Sequence, residues 1–321
     1  MAKRKRRQKT NPLITIIIIL ILIIASVMSA YLATPEESAA PPETTPAPTL
    51  SDESSVTVST GELGEVEYHF IDVGQGDATL IRTPLGDILV DAGENSAEDD
   101  LRNYLDLCGV ETIHFAIFTH PDSDHIGGAD MVLAEYEILN VIKPDFEKTT
   151  QVYKRMMEAI DAEGCNVYNA LPGETYSLGE FDMFILGPDP EAQSKFGIKL
   201  DSNNSSIVLR ATWGTTTALL TGDAEEPAES SIMKTYSSEH LGSMLLKVGH
   251  HGSRTSSTAA WLDAVKPQIA VISCGKNNSY GHPHAEVLDR LKEYVGDEVY
   301  RTDILGSIVF TTDGTQFIYK N

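Results

Sequence analysis

Cysteine is scarce. The chain has three in 321 residues, Cys108, Cys165 and Cys274, widely spaced and without a C-x-x-C pair. Such spacing excludes a disulfide framework and a zinc ribbon, and leaves the thiols as small buried hydrophobes. Positive charge is scarce too. Lys and Arg number 24 against 47 Asp and Glu, a formal net charge of −23. Six of those bases crowd into Met1–Lys9, so the remainder carries about −29. A protein that grips nucleic acid along its backbone shows a basic face. A chain this acidic suits solubility and repels polyanions at long range. Lys199, Arg210, Lys247, Arg254 and Lys276 are the bases from which a local patch would be assembled, and they read equally well as scattered surface charges. No internal repeat is present.

Long apolar runs are limited to one. Leu13–Ala33 continues for 21 residues without a charge, the length of a membrane-spanning helix. Bases stay on the cytoplasmic side, so residues 1–12 read as a cytoplasmic tail and residues 13–33 as a single-pass signal anchor, with everything beyond facing out. A cleaved signal peptide ending near Ser29 and Ala30 competes, but the run is long for one. No cysteine lies near it, which excludes a lipoprotein. Residues 34–63 are rich in Pro, Thr, Ser and Glu and lack apolar periodicity. They cannot bury enough surface to offset their ordering entropy, and read as a disordered tether. Residues 64–321 suffice for one large α/β core.

Within that core, Phe118-Thr119-His120-Pro121-Asp122-Ser123-Asp124-His125-Ile126-Gly127-Gly128 places two imidazoles and two carboxylates within six residues, just after the apolar run Phe115–Phe118. Such a loop after a strand can aim its side chains into one pocket, and the glycine pair lets backbone fold tightly beneath it. A solvated polar turn is the plain alternative, but four such groups this close call for a cation. Two more apolar runs end the same way: Ala218–Thr221 before Gly222-Asp223, and Met244–Val248 before Gly249-His250-His251-Gly252-Ser253. Three strand ends bearing ligand types describe a metal site at one edge of a β-sandwich.

The order H-x-D-x-D-H, T-G-D, H-H-G-S resembles the metallo-β-lactamase superfamily, and within it the hydrolase domain of ComEC-type DNA-uptake proteins. Phe70–Ala78, Asn203–Leu209, Asn278–Pro283 and Arg301–Gly306 extend the likeness from about Gly64 to Tyr319. The large channel of those proteins has no counterpart here, which sets DNA transport aside. The resemblance implies an α/β fold, the four-layer αββα sandwich. The pattern is compatible: strands near 66–72, 78–82, 87–91, 115–119, 181–186, 206–212, 217–221, 245–248, 269–273 and 307–311, with helices near 96–108, 153–162, 227–236, 257–265 and 285–294.

The resemblance also implies two divalent ions, Zn²⁺ or Mn²⁺. His120 and Asp122 would hold the first, Asp124, His125 and His251 the second, and Asp223 would bridge them. Asp124, His250 and His282 are then the candidate catalytic groups, with His250 aimed at an oxyanion. Asn204, Ser206, Ser253 and Arg254 are candidate substrate contacts, and Asp72, Gln75 and Asp77 either support the ligands or simply form a turn. The superfamily usually has a histidine where Asp122 stands and another where this chain reads Asn203-Asn204-Ser205-Ser206. An oxygen-rich first site favours Mn²⁺ over Zn²⁺ and does not match a drug-inactivating β-lactamase. Two ions clamp attacking and leaving oxygens, which suits a phosphodiester. The expected activity is therefore that of a phosphodiesterase or nuclease, with single-stranded DNA as the leading substrate and no obligate protein partner inferred. Small or cell-wall phosphodiesters such as phosphocholine esters form the first alternative, and a non-catalytic metal-binding accessory protein the second.

Overall fold

The computed structural model describes residues 63–198 and 200–320. The tail, the anchor and almost all of the tether expected above lie outside the described residues, as does Lys199. Among the described residues no helix is long and apolar enough to cross a membrane.

In chain order the strands are β1 (Val66–Phe70), β2 (Thr79–Thr83), β3 (Gly86–Val90), β4 (Thr112–Ile117), β5 (Glu137–Ile138), β6 (Asn140–Lys143) and β7 (Asn166–Asn169). Then follow β8 (Thr175–Leu178), β9 (Phe181–Gly187), β10 (Val208–Trp213), β11 (Thr216–Leu220), β12 (Leu245–Lys247), β13 (Ile269–Ile272) and β14 (Val299–Arg301). β15 (Ile308–Thr312) and β16 (Phe317–Lys320) complete them. One sheet runs β16-β15-β1-β2-β3-β4-β6-β7 with β5 beside β4, and the other runs β14-β13-β12-β11-β10-β9-β8.

Alternation along the strands assigns each residue to a layer. Tyr68, Phe70, Ile81, Ile88, Val90 and Ile117 meet Phe181, Ile185, Leu209, Leu245 and Val271 between the sheets. Leu80, Leu89, Ala116 and Phe118 point the other way, onto helices α1 (Glu98–Leu107), α2 (Ser123–Ile126), α3 (Ala129–Glu135) and α4 (Gln151–Glu163). The second sheet turns Leu219, Leu246, Ala270 and Ile272 onto helices α6 (Glu226–Thr235), α8 (Ala259–Val265) and α9 (Ala285–Val295). Short α5 (Pro190–Lys195), α7 (Ser238–Leu241) and α10 (Thr302–Leu305) lie between these elements in the chain. The result is the four-layer α/β sandwich.

Local chemistry sets the helix ends. Thr150 caps α4 by accepting from the Tyr153 N–H, and Gly164 ends it in the left-handed region, while Tyr153, Met156 and Ile160 go to the core. In α9, Val287, Leu291 and Val295 recur every fourth residue and form its buried stripe. The strand expected at 115–119 runs instead from Thr112 to Ile117. It stops there because the Thr119 N–H leaves the ladder for the Asp91 carboxylate at 2.7 Å.

The same end of both sheets carries the motifs. Strands β11, β12, β13 and β14 are parallel, with Leu220, Lys247 and Val271 in register. Asp223, His251 and Ser273 therefore emerge side by side. Strands β3 and β4 are also parallel, with Val90 opposite Ile117, so Asp91 and the His120 loop emerge together. Loops beyond the carboxyl ends of parallel strands are where α/β sheets place their ligands.

Candidate metal centre

Asp91 organises the first half of the site. Its buried carboxylate accepts from the Thr119 N–H and the Thr119 hydroxyl, each at 2.7 Å, and meets His125 Nδ1 at 2.7 Å. Burial pushes the Asp91 carboxyl up, and the His125 charge draws it back down. On the other half, His251 Nδ1 donates to the Ser273 carbonyl at 2.9 Å. A carbonyl only accepts, so that nitrogen carries the proton. With both Nδ1 atoms engaged by acceptors, the two Nε2 atoms face each other at 3.3 Å. Two imidazole lone pairs at that separation need a positive charge between them.

Carboxylates complete that enclosure. Asp223 Oδ1 lies 3.1 Å from His125 Nε2 and 3.6 Å from His251 Nε2, and Asp124 Oδ2 lies 3.2 Å from His251 Nε2. For metal bonds of about 2.05 Å the edge of a tetrahedron is about 3.3 Å. The observed separations bracket that value. Asp223 Oδ1 and His120 Nε2 are buried atoms without a hydrogen-bond partner, as a ligand-ready atom would be. The residues fit a divalent ion. Asp77 belongs to the same cluster: its carboxylate, the Asp223 carboxylate and the His125 and His251 ring nitrogens offer donor atoms within 4.8 Å of one another. The Asp77 carboxylate also pairs with the buried Lys247 ammonium at 2.6 Å.

The other side of Asp223 is looser. Its Oδ2 lies 3.8 Å from His120 Nε2 and 3.6 Å from His250 Nε2, and Asp122 Oδ2 lies 4.0 Å from His120 Nε2. The second Asp122 oxygen is taken by the Lys148 ammonium and the Ser202 hydroxyl. His250 Nδ1 sits 3.2 Å from both Glu225 Oε1 and Thr255 Oγ1.

The electrostatics follow from this crowding. Burial opposes a charge on His125, but Asp223 and Asp91 overcome it and hold the ring well above its ordinary pKa. His251 is raised likewise by Asp223 and Asp124 against its burial. Burial and the neighbouring His125 lower His120 to about 4. Asp223 and Asp124 resist their burial and stay well below the usual carboxylate range because of His125 and His251.

A cleft of about 130 Å³ opens onto the centre, lined by Gln75, Asp122, Asp124, Asn203, Asp223, His250, His251, Tyr280 and His282. Several expected contacts lie elsewhere. Asn204 is buried and bonded to Asp201 and to the Ala228 N–H, and the Ser206 hydroxyl holds the Asp223 N–H. Ser253 is buried against Thr255, and exposed Arg254 pairs with Glu286. None of these four lines the cleft. Asn203 does, one residue from the expected position. Asp72 is exposed and caps Gly74, away from the cluster, whereas Gln75 lines the cleft and accepts from the Gly275 N–H. Among the described residues the candidate basic patch is not assembled either. Lys247 is internal, Arg210 bonds the Gly242 carbonyl, and Lys276 lines a separate depression with Asp72 and Asp303. Sequence reasoning missed Asp91, Lys148, Ser202 and Glu225.

This chain belongs to the metallo-beta-lactamase superfamily, whose family pattern matches residues 71–276. Fold and site together define a metal-dependent hydrolase. The chain is 31% identical over 276 residues to ComE operon protein 3 of Bacillus subtilis (80% of this chain, 33% of that protein). It is 32% identical over 230 residues to Recombination protein 2 of Haemophilus influenzae (70% of this chain, 26% of that protein). It thus spans about a third or less of the length of those relatives. Among solved structures, the metallo-beta-lactamase fold protein YhfI of Bacillus subtilis covers 78% of this chain and 100% of its own, with a TM-score of 0.53 at 12% identity. That likeness concerns the fold alone.

Proposed function

We propose that this chain is a metal-dependent phosphodiesterase that cuts single-stranded DNA outside the cell membrane, to which its amino-terminal segment anchors it. The observation that carries the hydrolytic part is the four-donor enclosure of His125, His251, Asp124 and Asp223, open on one side to the cleft. The name of one relative, a recombination protein, supports nucleic acid as the substrate.

His125, His251, Asp124 and Asp223 would hold a divalent ion, and His120, Asp122 and Asp223 a second, which would supply Lewis-acid activation of water and charge neutralisation at phosphorus. The protein supplies the rest. Asp124 stays ionised beside His251, the form in which its carboxylate would help to hold an ion at the cleft. His250 donates from Nδ1 to Glu225 and turns Nε2 to the cleft wall, where the doubly protonated ring can donate to a phosphoryl oxygen. His282 is lowered to about 4 by burial and by the neighbouring histidines, so it stays neutral at the mouth. Lys148 neutralises one Asp122 oxygen and leaves the other facing His120.

The acidity of the chain favours one second reading, a phosphoesterase on small or cell-wall diesters, which need no extended basic track. Metal-stripped protein reloaded with Mn²⁺ or Zn²⁺ and assayed on single-stranded DNA, bis-p-nitrophenyl phosphate and phosphocholine esters separates them. Strand cleavage, faster with Mn²⁺, is expected. Turnover of phosphocholine esters alone selects the second reading, and no turnover with any ion overturns both. Protease added to intact protoplasts should remove the folded domain. Protection until lysis would reverse the proposed orientation.

A further inference from the structure

The turn Asn278–Pro283 presents a ring stack that the hydrolytic chemistry does not require. His251, a buried member of the metal enclosure, lies 6.3 Å from His282 between ring centroids with planes 26° apart. His282 in turn lies 5.6 Å from Tyr280 with planes 22° apart. Three nearly parallel rings thus run from the metal enclosure to the surface. Tyr280 ends the series and is 64% exposed. One face of its ring rests on His282, and it lines the mouth of the cleft.

The turn that carries that aromatic is fixed rather than loose. The Asn278 side chain donates to the Gly275 carbonyl at 2.9 Å and to the His282 carbonyl at 2.6 Å. It accepts from the Tyr280 N–H at 3.1 Å and the His282 N–H at 3.0 Å. A side chain that uses its whole amide on one turn holds that turn in a single shape, so little ordering entropy remains to be lost on binding. Scattered exposed tyrosines are ordinary. An exposed tyrosine stacked in series on a cleft histidine, over a locked turn, is a ready π-surface.

Charge narrows the ligand. With a net charge of −23 and no basic track at the cleft among the described residues, affinity for a polynucleotide cannot come chiefly from phosphate contacts. The remaining source is stacking on base faces, which every unpaired base offers and a duplex hides. Resting on the nuclease reading above, we propose that Tyr280 is the platform for an unpaired nucleobase flanking the scissile phosphodiester, extending the His251–His282 stack by one ring. Tyr280 is then a specificity-determining residue for single strands, and it acts on binding more than on turnover.

The test compares the full metal-loaded chain with Tyr280→Ala, Tyr280→Leu and Tyr280→Phe on two oligonucleotides of equal length, one of thymidylate and one of abasic units. Fluorescence anisotropy with phosphorothioate strands reads binding separately from cleavage. Wild type should favour the thymidylate strand in KM and Kd by roughly tenfold, within the range of one stacked base. That ratio should fall toward one in Tyr280→Ala and Tyr280→Leu and persist in Tyr280→Phe. A wild-type ratio near one, or an undiminished ratio in Tyr280→Leu, overturns the platform while leaving nuclease activity standing. If neither strand is bound or cut while phosphocholine esters are hydrolysed, the nuclease reading fails first and the platform falls with it.

Discussion

His250 and His251 are neighbours with opposite surroundings. His251 is enclosed, with both ring nitrogens committed, while His250 meets Glu225 and the open cleft. Elemental analysis should therefore find His251→Ala short of metal and His250→Ala still loaded, with turnover of the latter lowered roughly 10²–10³-fold. The reverse pattern would exchange their roles. Asp223→Ala should lose at least one ion, because Asp223 faces His125 and His251 with one oxygen and His120 and His250 with the other. Protons compete for the same place. His125 and His251, held above the ordinary 6.5 in the metal-free protein, must give up protons when an ion enters. Metal affinity should rise with pH through neutrality, with one to two protons released per binding event in weakly buffered titrations at about pH 7. The sign for the metal-free fold is opposite: the stability these raised values contribute is full below 6.5 and is lost as pH climbs through the folded values. A pH-independent affinity would remove this account. The ligand types were legible in sequence because each follows an apolar strand. Asp91 follows one too, in Val90-Asp91-Ala92-Gly93, but a carboxylate that steadies another ligand leaves no local mark. Asn203 lines the cleft while Asn204 is buried, because the tight turn Asn203–Ser205 sends adjacent side chains in different directions.

The elements that sequence reasoning found and those it missed differ in position. All ten expected strands exist, yet β7, β8, β14 and β16, which went unseen, are the four outer strands of the two sheets. An outer strand is paired along one side and half-solvated, so its apolar alternation is weak; Asn166–Asn169 is exposed at every residue. Strands β5 and β6 are too short to show a period. The loop after β4 was found by composition, but its short helix α2 was not. That helix depends on tertiary support, since an added Cβ at Gly127 would lie 2.2 Å from the Asn95 nitrogen and 2.5 Å from the Ser123 oxygen. Both are backbone atoms and cannot swing aside. Gly127→Ala should push α2 outward and carry His125 off Asp91, lowering metal occupancy more than global stability. Thermal unfolding and metal analysis of that variant measure the two effects, and a full metal complement would contradict the coupling.

At the scale of the whole molecule, charge governs encounter. A basic nuclease slows as salt rises, because screening weakens its pull on the strand. This chain carries −23, so the long-range force on a polyanion is repulsive and salt relieves it. The kcat/KM on a single-stranded oligonucleotide should climb between about 10 and 150 mM NaCl, where the screening length shortens from roughly 30 to 8 Å. A steep fall would reveal a basic track beyond the residues described. The placement of ligands at one end of both sheets has a further meaning for the life of the protein. His120 and His125 hang from the first sheet, Asp223 and His251 from the second, and the partners His125 and His251 stand 126 positions apart in the chain. Adjacent His250 and His251 also hold left-handed backbone at φ 49° and 54°, a shape that costs non-glycine residues about 1–2 kcal/mol each. An ion bound there rivets the open end of the sandwich and offsets that strain. At a hundredfold excess over its dissociation constant it adds about 2.7 kcal/mol to stability. Chelation should accordingly lower the melting temperature and speed amide exchange first at Gly249–Gly252. Metal supply would then set how firmly this end is closed: a chain that folds where ions are scarce would lack that contribution at Gly249–Gly252 until it is loaded.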